Sequence, residues 1–270
     1  MTGRPSRSLL RSVTLIACTL ITGGAQAADA CRLEPLGGGN VVAVVDGRGF
    51  LLDDGREVRL SGLQVPLLAR AGDKDDSAGR AAKAALESLL AARGVTLKAP
   101  KPVSDRYGRV VAYAFVSGSE SPVQHSLLLQ GQAVVAARPD NRACHAELLA
   151  REKVARDAKL GLWADPVYAM RRAESGAALL AARGQFAVIE GKVFSVRESG
   201  GTIYVNFGQR WSQSLTLTIR KRDARQFAAA GIEPKKLEGR LVRVRGFIEE
   251  RNGARLEALH PEQTELAEQN

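Results

Sequence analysis

Hydrophobic and polar positions along this chain fall into two strand-like stretches separated by segments of helical period. In the first stretch, residues 41–60 read as three strands, VVAVV, FLL and REVRL. Asp54-Gly55 supplies the hairpin turn between the second and third. The segment AGRAAKAALESLLAAR has the helical repeat, so Ala82, Leu86, Leu89 and Leu90 line one face. Asp75, Asp76 and Ser77 offer caps at its start, and Gly94 ends it. VTLKAP and RVVAYAFV are two more strands, and two further helices are predicted around SLLLQGQAVV and CHAELLAREKVARDAKLGLW. Cys144, Leu148 and Ala155 share a face of the last helix, which turns Cys144 inward.

Three strands, a helix, two strands and then helices is the order of an OB-fold barrel with a helical cap. Residues 185–262 repeat that logic. FAVIEGKVFSV is a strand, IYVNF pairs with SLTLTI, DARQFAAAG is helical, and RLVRVRGFIEE and ARLEAL form a hairpin through Asn252-Gly253. Ile203, Val205 and Phe207 alternate to one face, as do Leu215, Leu217 and Ile219. The predicted fold class is mainly β with α (α+β): a capped OB-fold barrel followed by a second small OB-like β-barrel. Residues 166–184, rich in Ala and Arg, read as a linker that is partly helical, and residues 263–270 as a flexible acidic tail.

Residues 1–27 carry a different pattern. Arg4, Arg7 and Arg11 precede an apolar run over residues 13–21, and Ala25-Gln26-Ala27 gives the small-x-small site that signal peptidase reads. The run is too short to span a bilayer. Export of residues 28–270 to a bacterial periplasm or beyond is therefore expected, with no transmembrane span. A lipoprotein box at Leu15-Ile16-Ala17-Cys18 is the rival reading. Removing residues 1–27 takes away three arginines and no acids, so the formal charge falls from +10 to +7. That charge is compatible with nucleic acid or an anionic glycan as ligand, and equally with plain solubility.

The mature segment keeps two cysteines, Cys31 and Cys144. In an oxidising compartment an even pair suggests a disulfide, which would contribute about 4–5 kcal/mol on the chain-entropy model. Two separate thiols is the alternative. His125, His145 and His260 spell no hydrolase triad, and Cys144-His145 has no further ligand at a metal-binding spacing.

Four collinear motifs lie within residues 40–163: VVDGRGFLL, VRLSGLQVPLL, DRYGRVVAYAFV and ARDAKLGLW. In order and spacing they resemble the staphylococcal-type thermonuclease family. The resemblance implies a thermonuclease-type OB-fold domain over residues 28–165 and, in the family, a calcium-dependent phosphodiesterase. There the first motif reads Asp-Gly-Asp-Thr and the loop reads Arg-Leu-x-Gly-Ile-Asp-x-Pro-Glu. The second Asp of the former and the Asp of the latter bind calcium, the Glu helps activate water, and two arginines hold the phosphate. Carried onto this sequence, the arginines survive as Arg59 and Arg109, and the supporting first acid survives as Asp46. The second Asp becomes Arg48, the Thr becomes Gly49, the loop Asp becomes Gln64 and the Glu becomes Leu67.

Calcium takes six to eight oxygens, several of them anionic. Arg48 instead places a positive group where the resemblance puts the ion. Unit charges 4 Å apart repel by about 4 kcal/mol at an effective dielectric of 20, and calcium carries two. Leu67 can neither accept a proton nor orient a water. With metal charge, general base and positioning all removed, calcium-dependent cleavage is expected to be lost, with no cofactor and no calcium bound. Asp53, Asp54, Asp73, Asp75 and Asp76 lie nearby in sequence but read as turn and cap residues.

What remains is cationic. Arg48, Arg59 and Arg109, with Tyr107 of DRYGR, are the candidate ligand-binding residues, since guanidinium groups capture phosphate in planar, bidentate fashion. One reading is an anion- or nucleic-acid-binding module whose partner is single-stranded DNA, RNA or another polyanion. In the other reading these arginines pair internally with Asp46, Asp53, Asp54 or Asp105. In the second unit Arg243 and Arg245 share a strand face, Tyr204 and Asn206 are placed on a similar outer face, and Trp211 lies in a loop. Aromatics beside arginines suit single-strand stacking. Two further classes stay open: an envelope protein that binds a protein or glycan partner, and an active phosphodiesterase with a rearranged metal site.

Overall fold

The computed structural model describes Met1 and residues 31–68, 77–91, 94–101, 104–136 and 144–267. The signal segment and the acids Asp73, Asp75 and Asp76 lie outside the described residues. The first unit contains, in chain order, β1 (Glu34–Asp46), β2 (Gly49–Leu52), β3 (Glu57–Leu60), β4 (Leu63–Gln64), α1 (Ser77–Leu90), β5 (Gly94–Ala99), β6 (Val110–Val116), α2 (Val123–Leu129), β7 (Val134–Val135) and α3 (His145–Asp157). Five of its strands close a barrel in the order β1-β2-β3-β6-β5, with β3 and β6 parallel and the other pairs antiparallel.

Closure depends on β1, which starts well before the VVAVV run. Its first half pairs with β5 and its second half with β2. Its pairing with β5 shifts register between Pro35 and Gly38, where a Cβ on Gly38 would lie 2.2 Å from the Val95 carbonyl oxygen. Only a residue without a side chain allows that approach. Phe50, Leu52, Val58 and Leu60 fill the barrel, and α1 closes one end with Ala82, Leu86 and Leu90 buried. Cys31 and Cys144, 113 residues apart, are joined by a disulfide, and Cys144 is buried beside Leu148 in the same core.

The helix predicted over SLLLQGQAVV stops at Leu129. Gly131 adopts φ 67°, and Val134–Val135 becomes β7, paired with β4. The apolar run looks helical locally, but the strand pairing across the fold decides its end. α3 likewise ends at Asp157, and Lys159 turns the chain at φ 52° before a short 3-10 turn, Gly161–Trp163.

The second unit contains β8 (Arg171–Arg172), α4 (Gly176–Ala181), β9 (Phe186–Lys192), β10 (Ser195–Ser199), β11 (Thr202–Asn206), β12 (Thr216–Arg220), α5 (Ala224–Ala229), β13 (Leu241–Phe247), β14 (Glu249–Glu250), β15 (Ala254–Ala258) and β16 (Thr264–Leu266). The second small OB-like β-barrel expected from the sequence does not emerge as a closed barrel among the described residues. The strands form two sheets, β10-β11-β12-β15-β14 and β16-β13-β9-β8. The predicted strand FAVIEGKVFSV breaks after Lys192, so β9 and β10 enter different sheets. Ile203, Val205, Leu217 and Ile219 of one sheet share a core with Ile189, Val242 and Val244 of the other. The stretch read as a linker contributes β8, which pairs with β9, and α4, whose Leu179 is buried. The stretch read as a flexible tail contributes β16, which pairs with β13.

The two units meet at β13. Val242 and Val244 face the C-terminal core, which turns Arg243 and Arg245 to the opposite side, where α3 lies. Arg245 is 0% exposed. It donates to both oxygens of the equally buried Glu152 at 2.9 and 3.0 Å, to the Val135 carbonyl at 3.0 Å, and to Glu265 of β16. Arg243 pairs with Glu190 at 2.6 Å and Glu265 at 3.3 Å, and Arg156 pairs with Glu152 at 3.0 Å. Burial would lower the Arg245 pKa, but Glu152 and Glu265 outweigh it and hold the group charged. Reciprocally, burial would raise Glu265, and the Arg245 charge keeps it below the ordinary carboxylate range. Trp163, Val134, Ala155, Leu162 and Val188 form an apolar cluster beside this network.

Candidate functional site

A cleft of about 730 Å³ opens on the barrel where β3 and the loop before β6 meet. Arg48, Arg59, Arg106, Tyr107 and Arg109 line it, with Asp105 as the one carboxylate among the described lining residues. The strands explain the convergence. Val58 and Leu60 point into the core, so Arg59 between them faces out, opposite Gly49 on one side and Val111 on the other. Arg48 occupies the β1–β2 turn, where its amide donates to Asp46 Oδ1 at 2.8 Å. Asp46 therefore spends an oxygen on its own turn.

The Arg48 side chain runs inward and is buried. Its Nη1 donates to Gln64 Oε1 at 2.8 Å and to the Leu63 carbonyl at 3.1 Å. The two residues standing at the resembled calcium positions thus bond each other. A guanidinium fills the space with its charge directed at the oxygen that a cation would need, so the donor set does not fit calcium. Among the described residues, no three His, Cys, Asp or Glu side chains gather as a metal site. Leu67 does not join the cleft. It is 71% exposed and borders a separate apolar pocket of about 280 Å³ with Val167, Phe186 and Phe247. Gln64 also reaches that pocket.

Arg109 is held from below. Its Nε donates to Asp105 Oδ2 at 2.7 Å, its Nη1 lies 3.6 Å from Glu57, and its guanidinium sits 5.1 Å from the Tyr107 ring. Asp105 also accepts from the Tyr107 and Arg109 amides. Burial would raise the Asp105 carboxyl, but these bonds prevail and hold it below its ordinary value. The Asp105 hydrogen bond in turn raises the Arg109 pKa. A carboxylate so committed is a weak proton acceptor and a poor general base. The internal pairing expected of Asp105 is present at Arg109, whereas Asp53 binds Asn40 and Asp54 binds Arg56.

Arg106 was not singled out by the sequence. It is exposed, stacks on Tyr107 at 4.8 Å and donates to the Tyr107 hydroxyl at 2.7 Å. The adjacency of Arg106 and Tyr107 in DRYGR was the only signal. Tyr204 and Asn206 do face outward on β11, but Arg243 and Arg245 are not their neighbours, being enclosed at the junction. His125 and His145 are buried in or beside α2 and α3 and reach no cleft described above. Burial holds both imidazoles below their ordinary pKa, His145 at about 4.

A comparison with curated proteins gives no match. The family model of the staphylococcal nuclease homologues matches residues 57–165, which include Arg59, Gln64, Leu67 and Arg109 and begin after Asp46 and Arg48. That span takes in three of the five barrel strands, all three helices of the first unit and the cleft-lining residues from Arg59 onward. Residues 57–165 of this chain are a staphylococcal nuclease homologue domain.

Proposed function

We propose that this chain is an exported, non-cleaving relative of the thermonucleases, whose former active face binds a phosphate-bearing polyanion, with single-stranded DNA or RNA as the ligand class. The observation that supports it is the Arg48–Gln64 hydrogen bond in the cleft shared with Arg59, Arg106 and Arg109. Among the described lining residues there are four arginines and one carboxylate, and that carboxylate, with Glu57 nearby, orients Arg109. Such a cleft can hold phosphate oxygens by charge-assisted hydrogen bonds. Among the described residues it offers neither a calcium donor set nor a free proton acceptor for an attacking water, and calcium is not expected to bind.

The test is incubation of residues 28–270 with single-stranded DNA and RNA, with calcium or with chelator. Intact-strand retention is measured in parallel at low and moderate salt. Uncleaved strand, with retention that falls steeply with salt and is weakened by Arg59→Ala/Arg109→Ala, is the expected result. Chelator-sensitive cleavage abolished by Arg109→Ala would instead establish a rearranged metal site. The absence of both cleavage and retention would favour the second reading, an envelope protein that binds a protein or glycan partner. The exposed rim of Leu67, Val167 and Phe247 around the apolar pocket is the observation behind that reading.

A further inference from the structure

We infer that the outer face of the sheet β10-β11-β12-β15-β14 is a second binding site, for single-stranded nucleic acid, separate from the former active face. The face is concave and encloses a cleft of about 1070 Å³, larger than the 730 Å³ of the barrel cleft. Strand register lays its side chains out in rows. Arg197 stands opposite Tyr204, and Tyr204 opposite Thr218. Beside them, Ser195, Asn206, Thr216 and Arg255 form a second row. Asn206 already bridges Ser195 and Thr216 at 3.3 Å each, so the row offers oriented amide and hydroxyl groups.

Two features make this more than a solvated strand face. Phe194 and Trp211 lie at the rim and are 51% and 57% exposed, an uncommon state for large aromatic groups that could have been buried. Trp211 is also held in place. Its loop packs on the β14–β15 turn, where a Cβ on Gly253 would come within 2.6 Å of the Trp211 carbonyl oxygen. The second feature is uncompensated charge. Arg220 is paired with Glu257 at 2.9 Å and Arg255 with Glu249 at 3.4 Å. Arg197 and Arg251, by contrast, are exposed and have no side-chain partner among the described residues. Exposed aromatic faces in one cleft with guanidinium groups that no described carboxylate pairs match a ligand carrying a π-face and a phosphate in each repeat. The aromatics need unstacked bases, so a single strand fits and a duplex does not.

The test uses the purified chain and an oligothymidylate of about 12 nucleotides, within the usual single-strand site size. The protein has two tryptophans, and Trp163 is only 5% exposed, so a change in emission reports Trp211. Binding should quench that emission at low salt. Anisotropy of a labelled strand should show roughly tenfold weaker binding for Trp211→Ala. Arg197→Ala/Arg251→Ala should weaken binding by a similar factor and flatten the salt slope by about 1.4. Repeating both measurements in an Arg59→Ala/Arg109→Ala background separates this face from the barrel cleft, and loss of the quench in that background would overturn the inference. The inference is overturned if the strand binds without quenching Trp211 or if Arg197→Ala/Arg251→Ala binds like the parent. It is also overturned if an abasic strand binds as tightly, since the face would then be reading charge alone.

Discussion

Replacing Arg245 by Met removes the hub of the junction while keeping much of its volume. The guanidinium gives up two bonds to Glu152, one to the Val135 carbonyl and one to Glu265. What it leaves behind costs more than what it takes away. Glu152 is 0% exposed and would hold a buried negative charge with only the Val135 amide and Arg156 as partners. Removing one member of a buried pair costs about 3–5 kcal/mol. The two surviving partners place Arg245→Met near the lower end, at about 3 kcal/mol. For a protein of this size that is roughly 6–12 °C in Tm. Urea unfolding should be followed by circular dichroism and by Trp163 emission, because Trp163 lies in the junction cluster. Glu152→Leu/Arg245→Met should recover at least about 1 kcal/mol relative to the sum of the single changes, because Glu152→Leu removes the buried carboxylate that Arg245→Met alone would orphan. A cost under about 1 kcal/mol for Arg245→Met, or strict additivity in the double variant, would refute the reasoning.

Three further outcomes are expected. His145 is held at a pKa of about 4 by burial and the nearby Arg245, against about 6.5 when unfolded. Its contribution is therefore complete above pH 6.5 and lost as pH falls toward 4. The loss is on the order of 3 kcal/mol, and His145→Gln should remove that part of the pH slope in urea midpoints. Cys144→Ser should cost about 4 kcal/mol, since the bridge closes a loop of 113 residues; equal midpoints with and without reductant would contradict this. Arg48→Asp/Gln64→Asp should gain calcium affinity in the range of about 0.1–1 mM by isothermal titration calorimetry, with no heat from the parent chain.

The sequence was most legible where local pattern and tertiary contact agree. Alternation identified β2, β3 and β6, and the helical repeat found Ala82, Leu86 and Leu90 on the buried face of α1. It was blind to the first half of β1, because Pro35 and the glycines at 37–39 read as loop. Only the neighbouring β5 backbone, too close for any side chain at Gly38, shows why they belong in a strand. The same limit applies to charge. Period-two spacing put Arg243 and Arg245 on one face, but nothing local says that α3 covers it. Polar composition made residues 263–270 look loose, although Glu265 completes the ion network from β16. At the barrel cleft the resemblance located Arg48, Arg59, Tyr107 and Arg109, which do converge. Leu67 diverged because the chain after Gln64 turns toward the apolar pocket.

The position of Arg243 and Arg245 bears on how this protein should be dissected. A cut anywhere in residues 166–184 would strip α3 from β13 and take Glu152 and the Val135 carbonyl away from Arg245, which would keep only Glu265, while Arg243 would keep Glu190 and Glu265. The C-terminal fragment would then present to water a guanidinium that is fully enclosed in the intact chain. Nucleic acid retained by such a fragment would report the scar of the excision. Affinity measured on separated halves is thus biased toward a positive answer, and only the undivided chain, altered one side chain at a time, can assign it to a face.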